Sequence, residues 1–149
     1  MNISDMPGHL IRRLNQMSTQ VFAHHVQSAG FDLTPVQFAA LDAVRSNPGL
    51  DQAGIAALIA YDRATIGGVI DRLEQKGLVT RSINKRDRRA REVALSDTGH
   101  QVYQDLLPTI VRVQGEILEG LTDDEEKQFL RLAKKALRAG SGSRSGAGQ

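Results

Sequence analysis

Between Asp51 and Gly77 the sequence sets two short amphipathic periods end to end and leaves only Ala60 and Tyr61 to join them. Asp51 is placed to cap a first helix carrying Ile55, Leu58 and Ile59. Asp62 is placed to cap a second, in which Ile66, Val69, Ile70 and Leu73 share one face until Gly77 stops it. Two helices joined this tightly form a helix-turn-helix candidate. The period then changes: residues 78–82 (Leu-Val-Thr-Arg-Ser) and 92–95 (Glu-Val-Ala-Leu) read as β-strands around a polar stretch, so a two-stranded ribbon follows. From Arg81 to Arg91 this segment holds six Lys and Arg (Arg81, Lys85, Arg86, Arg88, Arg89, Arg91) against Asp87 alone. That is a local charge of +5 within a chain whose net charge is +2, which leaves the remainder at −3. A concentrated basic segment on a mildly acidic body points to contact with a polyanion.

The flanks read as helices. Leu10, Leu14, Met17 and Val21 share a face of a first helix over residues 7–28, which Gly30 ends. Thr34, Pro35 and Gln37 form a capping box for a second, burying Phe38, Leu41 and Val44 before Asn47-Pro48-Gly49. After the ribbon, Ser96 or Asp97 caps a long stripe of Val102, Leu106, Ile110, Val113, Ile117 and Leu121, with Pro108 expected to bend the helix near residues 104–107. Thr122 and Glu125 box a last helix with Phe129, Leu132, Ala133, Ala136 and Leu137 on its apolar face. Residues 139–149 are rich in Gly and Ser and are expected to be disordered.

A length of 149 residues suits one domain, and 40% hydrophobic residues with only 4% aromatic favour helices over a β-sandwich. The expected fold is mainly α with a small β-ribbon. Residues 34–96 form a helix-turn-helix lobe with its ribbon, residues 1–33 and 97–138 form helical arms, and residues 139–149 form a tail. The arms carry more apolar surface than the lobe can cover, and they most simply bury each other across a two-fold axis in a homodimer. The chain has no cysteine, which excludes disulfides, thiolate metal sites and thiol nucleophiles. No apolar run approaches the ~20 residues of a membrane span, and the first nine residues lack the pattern of a secretory signal, so no membrane and a cytoplasmic address are expected. His24 and His25 are adjacent on a helix and diverge by about 100°, while His9 and His100 are isolated. No metal and no cofactor is expected.

A helix that enters a DNA major groove needs an exposed first half that comes close to phosphates and base edges. Residues 61–68 (Tyr-Asp-Arg-Ala-Thr-Ile-Gly-Gly) offer that: Arg63 for a base or phosphate, Thr65 for a phosphate, and Gly67 and Gly68 to remove bulk. The alternative is that the glycines only permit close helix packing and that Arg63 is a solvated charge. The ribbon adds a separate signal. Lys85, Arg86, Arg88 and Arg89 lie at its turn, where an arginine is long enough to enter a narrow, electronegative minor groove. Asp87 would be repelled by phosphate and is expected to pair with a neighbouring Arg and hold the ribbon's shape.

Residues 71–81 (Asp-Arg-Leu-Glu-Gln-Lys-Gly-Leu-Val-Thr-Arg), 87–91 (Asp-Arg-Arg-Ala-Arg) and 94–99 (Ala-Leu-Ser-Asp-Thr-Gly) together resemble the signature of MarR-family winged helix-turn-helix regulators. The likeness extends over residues 10–137. It implies an obligate homodimer with intertwined arms, two recognition helices in successive major grooves of a pseudo-palindrome, and two wings in flanking minor grooves of double-stranded DNA. By family pattern, recognition-helix contacts fall on Arg63, Thr65, Gly67, Gly68 and Arg72, and wing contacts on Arg86, Arg88 and Arg89. Some members carry a base-reading Arg where Gly68 stands, which leaves that task to Arg63 or to the backbone near the glycines.

Many members also bind a small anionic aromatic in a cleft between the arms and the DNA-binding lobe, and release DNA in response. Here Arg13, Gln16 and Gln20 follow one face of the first helix, and a carboxylate needs a charged partner at the edge of an apolar pocket. Arg13, with Arg12 as second choice, would anchor such a ligand, with Gln16 and His9 nearby and Met17 or Phe38 as apolar wall. The alternative for Arg13 is a salt bridge to Asp32 or Asp42. The likeness favours a benzoate-, hydroxycinnamate- or nicotinate-like acid and a repressor released from its operator. No nucleophile elbow or phosphate-binding loop marks an enzyme. The competing reading is a ligand-independent architectural or RNA-binding protein that uses the same basic ribbon.

Overall fold

A computed structural model describes residues 1–59, 61–83 and 86–145. A 3-10 turn at Ile3–Asp5 leads into α1 (Pro7–Ser28), α2 (Pro35–Ser46), α3 (Gln52–Ile59) and α4 (Arg63–Gln75). The two strands β1 (Val79–Ile83) and β2 (Arg91–Leu95) follow, then α5 (Asp97–Ile117) and α6 (Asp123–Ser145). The architecture is mainly α with a two-stranded antiparallel sheet running from Val79↔Leu95 to Ile83↔Arg91. Each strand begins or ends within a residue of its expected place. The chain divides into two compact units, Met1–Val113 and Gln114–Gln149. No single helix among the described residues is long and apolar enough to cross a membrane.

Helix boundaries follow the local chemistry. At the start of α2, Thr34 Oγ1 accepts Gln37 N–H and Gln37 Oε1 accepts Thr34 N–H, both at 3.2 Å. Asp51 Oδ1 accepts Gly54 N–H at 2.8 Å, and Ser96, rather than Asp97, caps α5 by accepting Gly99 N–H at 3.0 Å. The box at α6 forms between Thr122 and Glu125. Gly77 takes φ +74°, so α4 can close with Leu78 N–H on Leu73 O and Gly77 N–H on Glu74 O, the paired bonds of a left-handed C-terminal turn. Leu78 O then comes so close to the first turn of α5 that a Cβ on Gly99 would collide with it.

The core of the first unit joins α2, α3, α4, the sheet and α5. Leu41, Ile55, Ile66, Ile70, Leu73, Val79, Val93 and Leu106 are among its fully buried side chains, each stabilising the fold by about 1.5–3 kcal/mol of burial. All four residues expected on the inner face of α4 are buried. Elsewhere the expected faces shift. In α3, Ile55 is buried with Ala56, whereas Leu58 points to solvent, because a helix of two turns can face the core with one side only. Phe38 is half-buried. In α5, Leu106, Ile110 and Val113 are buried together with Tyr103, which the expected stripe omits, and the helix runs without a break through Pro108.

In α1 the buried residues are Phe22 and Val26; the expected face of Leu10, Leu14, Met17 and Val21 is exposed or half-buried within one chain. The physical reason is length: the lobe is short, and only the C-terminal turns of α1 meet it. Taken by itself, α6 buries none of its described apolar side chains. It also extends through Ser145, past residue 138 where the sequence reading ends it. A helix already nucleated adds residues cheaply, Gly costs ~1 kcal/mol relative to Ala, and no proline stops it. Residues 139–145, expected to lie in a disordered tail, continue the helix here, and residues 146–149 lie outside the described residues.

Candidate nucleic-acid interface

The second helix of the tight pair, α4, starts on a strong cap. Asp62 Oδ1 accepts Thr65 N–H at 2.8 Å and Asp62 Oδ2 accepts the Thr65 hydroxyl at 2.7 Å. These bonds favour the ionised carboxyl and hold the Asp62 pKa below its ordinary value. In the unbound chain the Thr65 hydroxyl, expected to meet a phosphate, donates to Asp62 and fixes the start of the helix. Arg63 and Arg72 are exposed on α4. At about 100° per residue, Thr65, Gly68 and Arg72 line one side of the outer face, while Arg63, Gly67 and Asp71 line the side toward the ribbon.

The two glycines part company. A Cβ on Gly68 would meet nothing within 4 Å, whereas one on Gly67 would lie 3.2 Å from Nε2 of Gln52 at the start of α3. Close packing thus explains Gly67, and Gly68 stands on open surface.

The wing is tied to α4 at its base. The Arg81 guanidinium donates to Asp71 Oδ1 in an ion pair, with only 14% of the Arg81 side chain exposed. One of the six cations of the basic segment is thereby engaged inside the protein. Arg86, Arg88 and Arg89 are exposed on the turn; Lys85 lies outside the described residues. Asp87 shapes the turn as expected, though by a different contact: its Oδ1 accepts the backbone N–H of Arg89 at 3.0 Å, and its carbonyl accepts Ala90 N–H at 3.1 Å. The other side of the ribbon is anchored by Val93 N–H on Leu50 O at 3.0 Å. The result is a rigid helix start and a separate cationic turn, both exposed and both positioned by the same small core.

The proposed ligand residues are gathered in part. Arg13, Gln16 and Met17 line a cavity of about 470 Å³ along α1, joined by Leu10, Leu14 and Gln20. Arg12 instead turns to His9, with Nη2 and Nδ1 3.2 Å apart. Phe38 stacks flat on Tyr103 at 5.3 Å between ring centroids. Neither carboxylate considered for Arg13 holds it. Asp42 accepts the Tyr103 hydroxyl at 2.7 Å and Arg45 at 3.2 Å, and Asp32 faces Lys76 at 3.7 Å. Arg13 makes no ion pair among the described residues.

Sequence reasoning missed the cluster around Tyr103. Its ring lies between Phe38 and the Arg45 guanidinium, 4.6 Å from the ring centre. Burial first, then the hydrogen bond to Asp42, raises the Tyr103 pKa, and the bond to Asp42 leads in raising that of Arg45. The phase Tyr103, Leu106, Ile110 was available as a signal, since it too has helical spacing. Gln52 was missed as well, and nothing in its local sequence distinguishes it.

Comparison with known proteins places this geometry. The profile described as "MarR family" matches residues 33–90, the span from the start of the lobe to the wing turn. Transcriptional regulator HosA of Escherichia coli O111:H- is 30% identical over 131 residues, covering 88% of this chain and 94% of that one. The crystal structure of the transcriptional regulator PcaV from Streptomyces coelicolor, in complex with its natural ligand, superposes with a TM-score of 0.86 at 31% identity, covering 94% of this chain and 97% of that one. BpsR from Bordetella bronchiseptica, whose DNA binding is regulated by 6-hydroxynicotinic acid, gives a TM-score of 0.85 at 28% identity, covering 91% and 96%. With its tight helix pair, its anchored two-stranded wing and its likeness along nearly the whole chain to these regulators, the protein belongs to the MarR family of winged helix-turn-helix transcriptional regulators.

Proposed function

We propose that the protein is a homodimeric repressor that occupies a pseudo-palindromic DNA site through α4 and the wing, and that a small aromatic carboxylate bound beside α1 releases it. The observation that carries the reading is the pairing of a capped, exposed helix start with a separate cationic turn, held at a fixed relation by Arg81 and Asp71. In this reading Arg63 and Arg72 meet bases or phosphates in the major groove, Arg86, Arg88 and Arg89 reach the minor groove, and Gly68 lets the helix backbone approach. Lys85 is included as a wing contact by its position in the sequence. The domain roles follow: residues 34–96 bind DNA, and residues 1–33 and 97–138 form the dimer.

Dimerisation is supported by apolar surface that a single chain leaves exposed: Leu10 at 47% and Ile11 at 66% on α1, Leu130 at 43% and Leu132 at 47% on α6. The effector class is supported by the cavity containing Arg13, Gln16 and Met17, and by BpsR, whose DNA binding responds to 6-hydroxynicotinic acid. Arg13 would pair with the carboxylate and Met17 would pack on the ring; His9, Arg12 and Phe38 lie outside the lining residues and drop to supporting roles. The protein would work where DNA is, in the cytoplasm.

Selection of a binding sequence from random duplexes, followed by titration with 6-hydroxynicotinate and benzoate, tests the proposal. An operator with two related half-sites, released by one of these acids, is expected. Equal affinity for all duplexes and for RNA, with no response to either acid, would favour the architectural or RNA-binding alternative.

A further inference from the structure

Beside the wing lies a second cavity, about 380 Å³, between the first residues of α3 and the wing turn. Gln52, Arg89 and Arg91 contribute donors to its walls, and Asp51 and Asp87 contribute carboxylates. Each carboxylate accepts a backbone N–H, Asp51 from Gly54 and Asp87 from Arg89, which holds it in place but leaves its charge, so an anion would have to be held from the guanidinium side of the cavity. The cations carry no such internal bond from their guanidinium groups among the described residues. Gln52 is half-buried, and its amide makes no hydrogen bond among the described residues. Its amide atoms are not among the buried, unpartnered ones, so water reaches them and an acceptor from outside the chain can take that water's place. Its Nε2 lies against Gly67 of α4, close enough that a Cβ there would press on it. Gln52 therefore touches the recognition helix on one side and the cavity shared with the wing on the other.

We propose that Gln52, Arg89 and Arg91 together hold one backbone phosphate of the bound DNA, and that Gly67 is a glycine so that Gln52 can lie across α4 and reach it. The inference rests on the DNA-binding reading and refines it: α3 supplies a contact, Arg89 turns to the backbone instead of the minor groove, Arg91 joins it there, and Gly67 acts through Gln52 rather than by touching DNA. A phosphodiester oxygen accepts hydrogen bonds from all three donors, and a contact of this kind sets the register of α4 in the groove without reading sequence. One seat spanning α3, α4 and the wing would fix the helix and the wing on the same strand.

The test is a double-mutant cycle read by fluorescence anisotropy on two duplexes of about two helical turns (~20 bp), one selected for tight binding and one of mixed sequence at low salt. Gln52→Ala is expected to weaken both by about tenfold, the scale of a hydrogen bond to a charged group. Gly67→Ala is expected to weaken both similarly in the wild-type background and to add nothing once Gln52 is Ala. Replacing backbone phosphates one at a time by methylphosphonate is expected to reveal one linkage per half-site that matters to the wild type and not to Gln52→Ala. Circular-dichroism melts check that each variant is folded. Unchanged affinity in Gln52→Ala, independent effects of the two substitutions, or a loss confined to the selected duplex would overturn the phosphate seat. Failure of the wild type to bind either duplex would overturn the DNA-binding reading itself.

Discussion

Helices α4 and α6 announce themselves in the same way, with a capping acceptor followed by apolar residues at helical spacing, yet they end in opposite circumstances. On α4, Ile66, Val69, Ile70 and Leu73 are all at most 8% exposed. On α6, Leu130 and Leu132 remain 43% and 47% exposed. Amphipathic periodicity reports that a helix has a face to bury and is silent on what buries it. The lobe finds its partner within the chain, since α2, α3 and the sheet lie within a few tens of residues of α4. For α6 the apolar face is the best evidence in a single chain for a second copy.

The sharpest way to break that contrast is to truncate one residue on each helix. Leu73→Ala should destabilise the lobe by about 2–5 kcal/mol, because it opens a cavity in a packed core, and thermal melts would read it. Leu132→Ala should leave the melting of the lobe within about 0.5 kcal/mol at equal oligomeric state. Next in size, Leu132→Glu places charge on the proposed dimer surface and should shift sedimentation from dimer toward monomer; an unchanged mass would mean that this face of α6 is not the interface.

On the DNA side, Arg88→Ala and Arg89→Ala should each weaken binding roughly tenfold and lower the salt slope by about one per lost contact. Both variants should stay folded and dimeric, because the turn is outside the core. Arg13→Ala should leave DNA affinity nearly unchanged and abolish the response to an aromatic acid, measured as loss of the ligand-induced rise in Tm. The smallest effect concerns Asp62. Hydrogen bonds from Thr65 lower its folded pKa, so its contribution is fully present above the ordinary carboxylate pKa of about 3.9 and is lost as pH falls through the lower, folded value. Asp62→Ala should flatten the acid limb of Tm against pH below about pH 4 and slightly lower Tm near neutrality.

Local interactions were the legible ones. Thr34, Asp51, Asp62, Ser96 and Thr122 all cap where the sequence places a cap, since the bond spans three residues and needs no tertiary context. The face of α4 was legible for the same reason. Contacts between distant residues were not: Tyr103 finds Asp42 across 61 positions, and Lys76 finds the Asp32 carbonyl across 44. The basic segment could be read as a wing, but not that Arg81 would be spent on Asp71, because alternation along a strand leaves open which neighbour a side chain meets. The two adjacent glycines were indistinguishable until α3 was seen to lie against one of them. That Arg13, Gln16 and Met17 come together beside one cavity was legible from helical spacing; the positions of Arg12, His9 and Phe38 depended on neighbours that spacing does not specify.

If one lobe presents both a recognition helix and a cationic wing to the same DNA, lost counterions should register both. The most direct measurement is the salt dependence of affinity for a selected duplex of ~20 bp, compared between the wild type and Arg88→Ala. A steep linear fall of log affinity with log salt is expected, on the order of a thousandfold between ~50 and ~200 mM, with a slope reduced by about two for a dimer that has lost one wing contact per protomer. A slope near zero, or an identical slope in the variant, would contradict it.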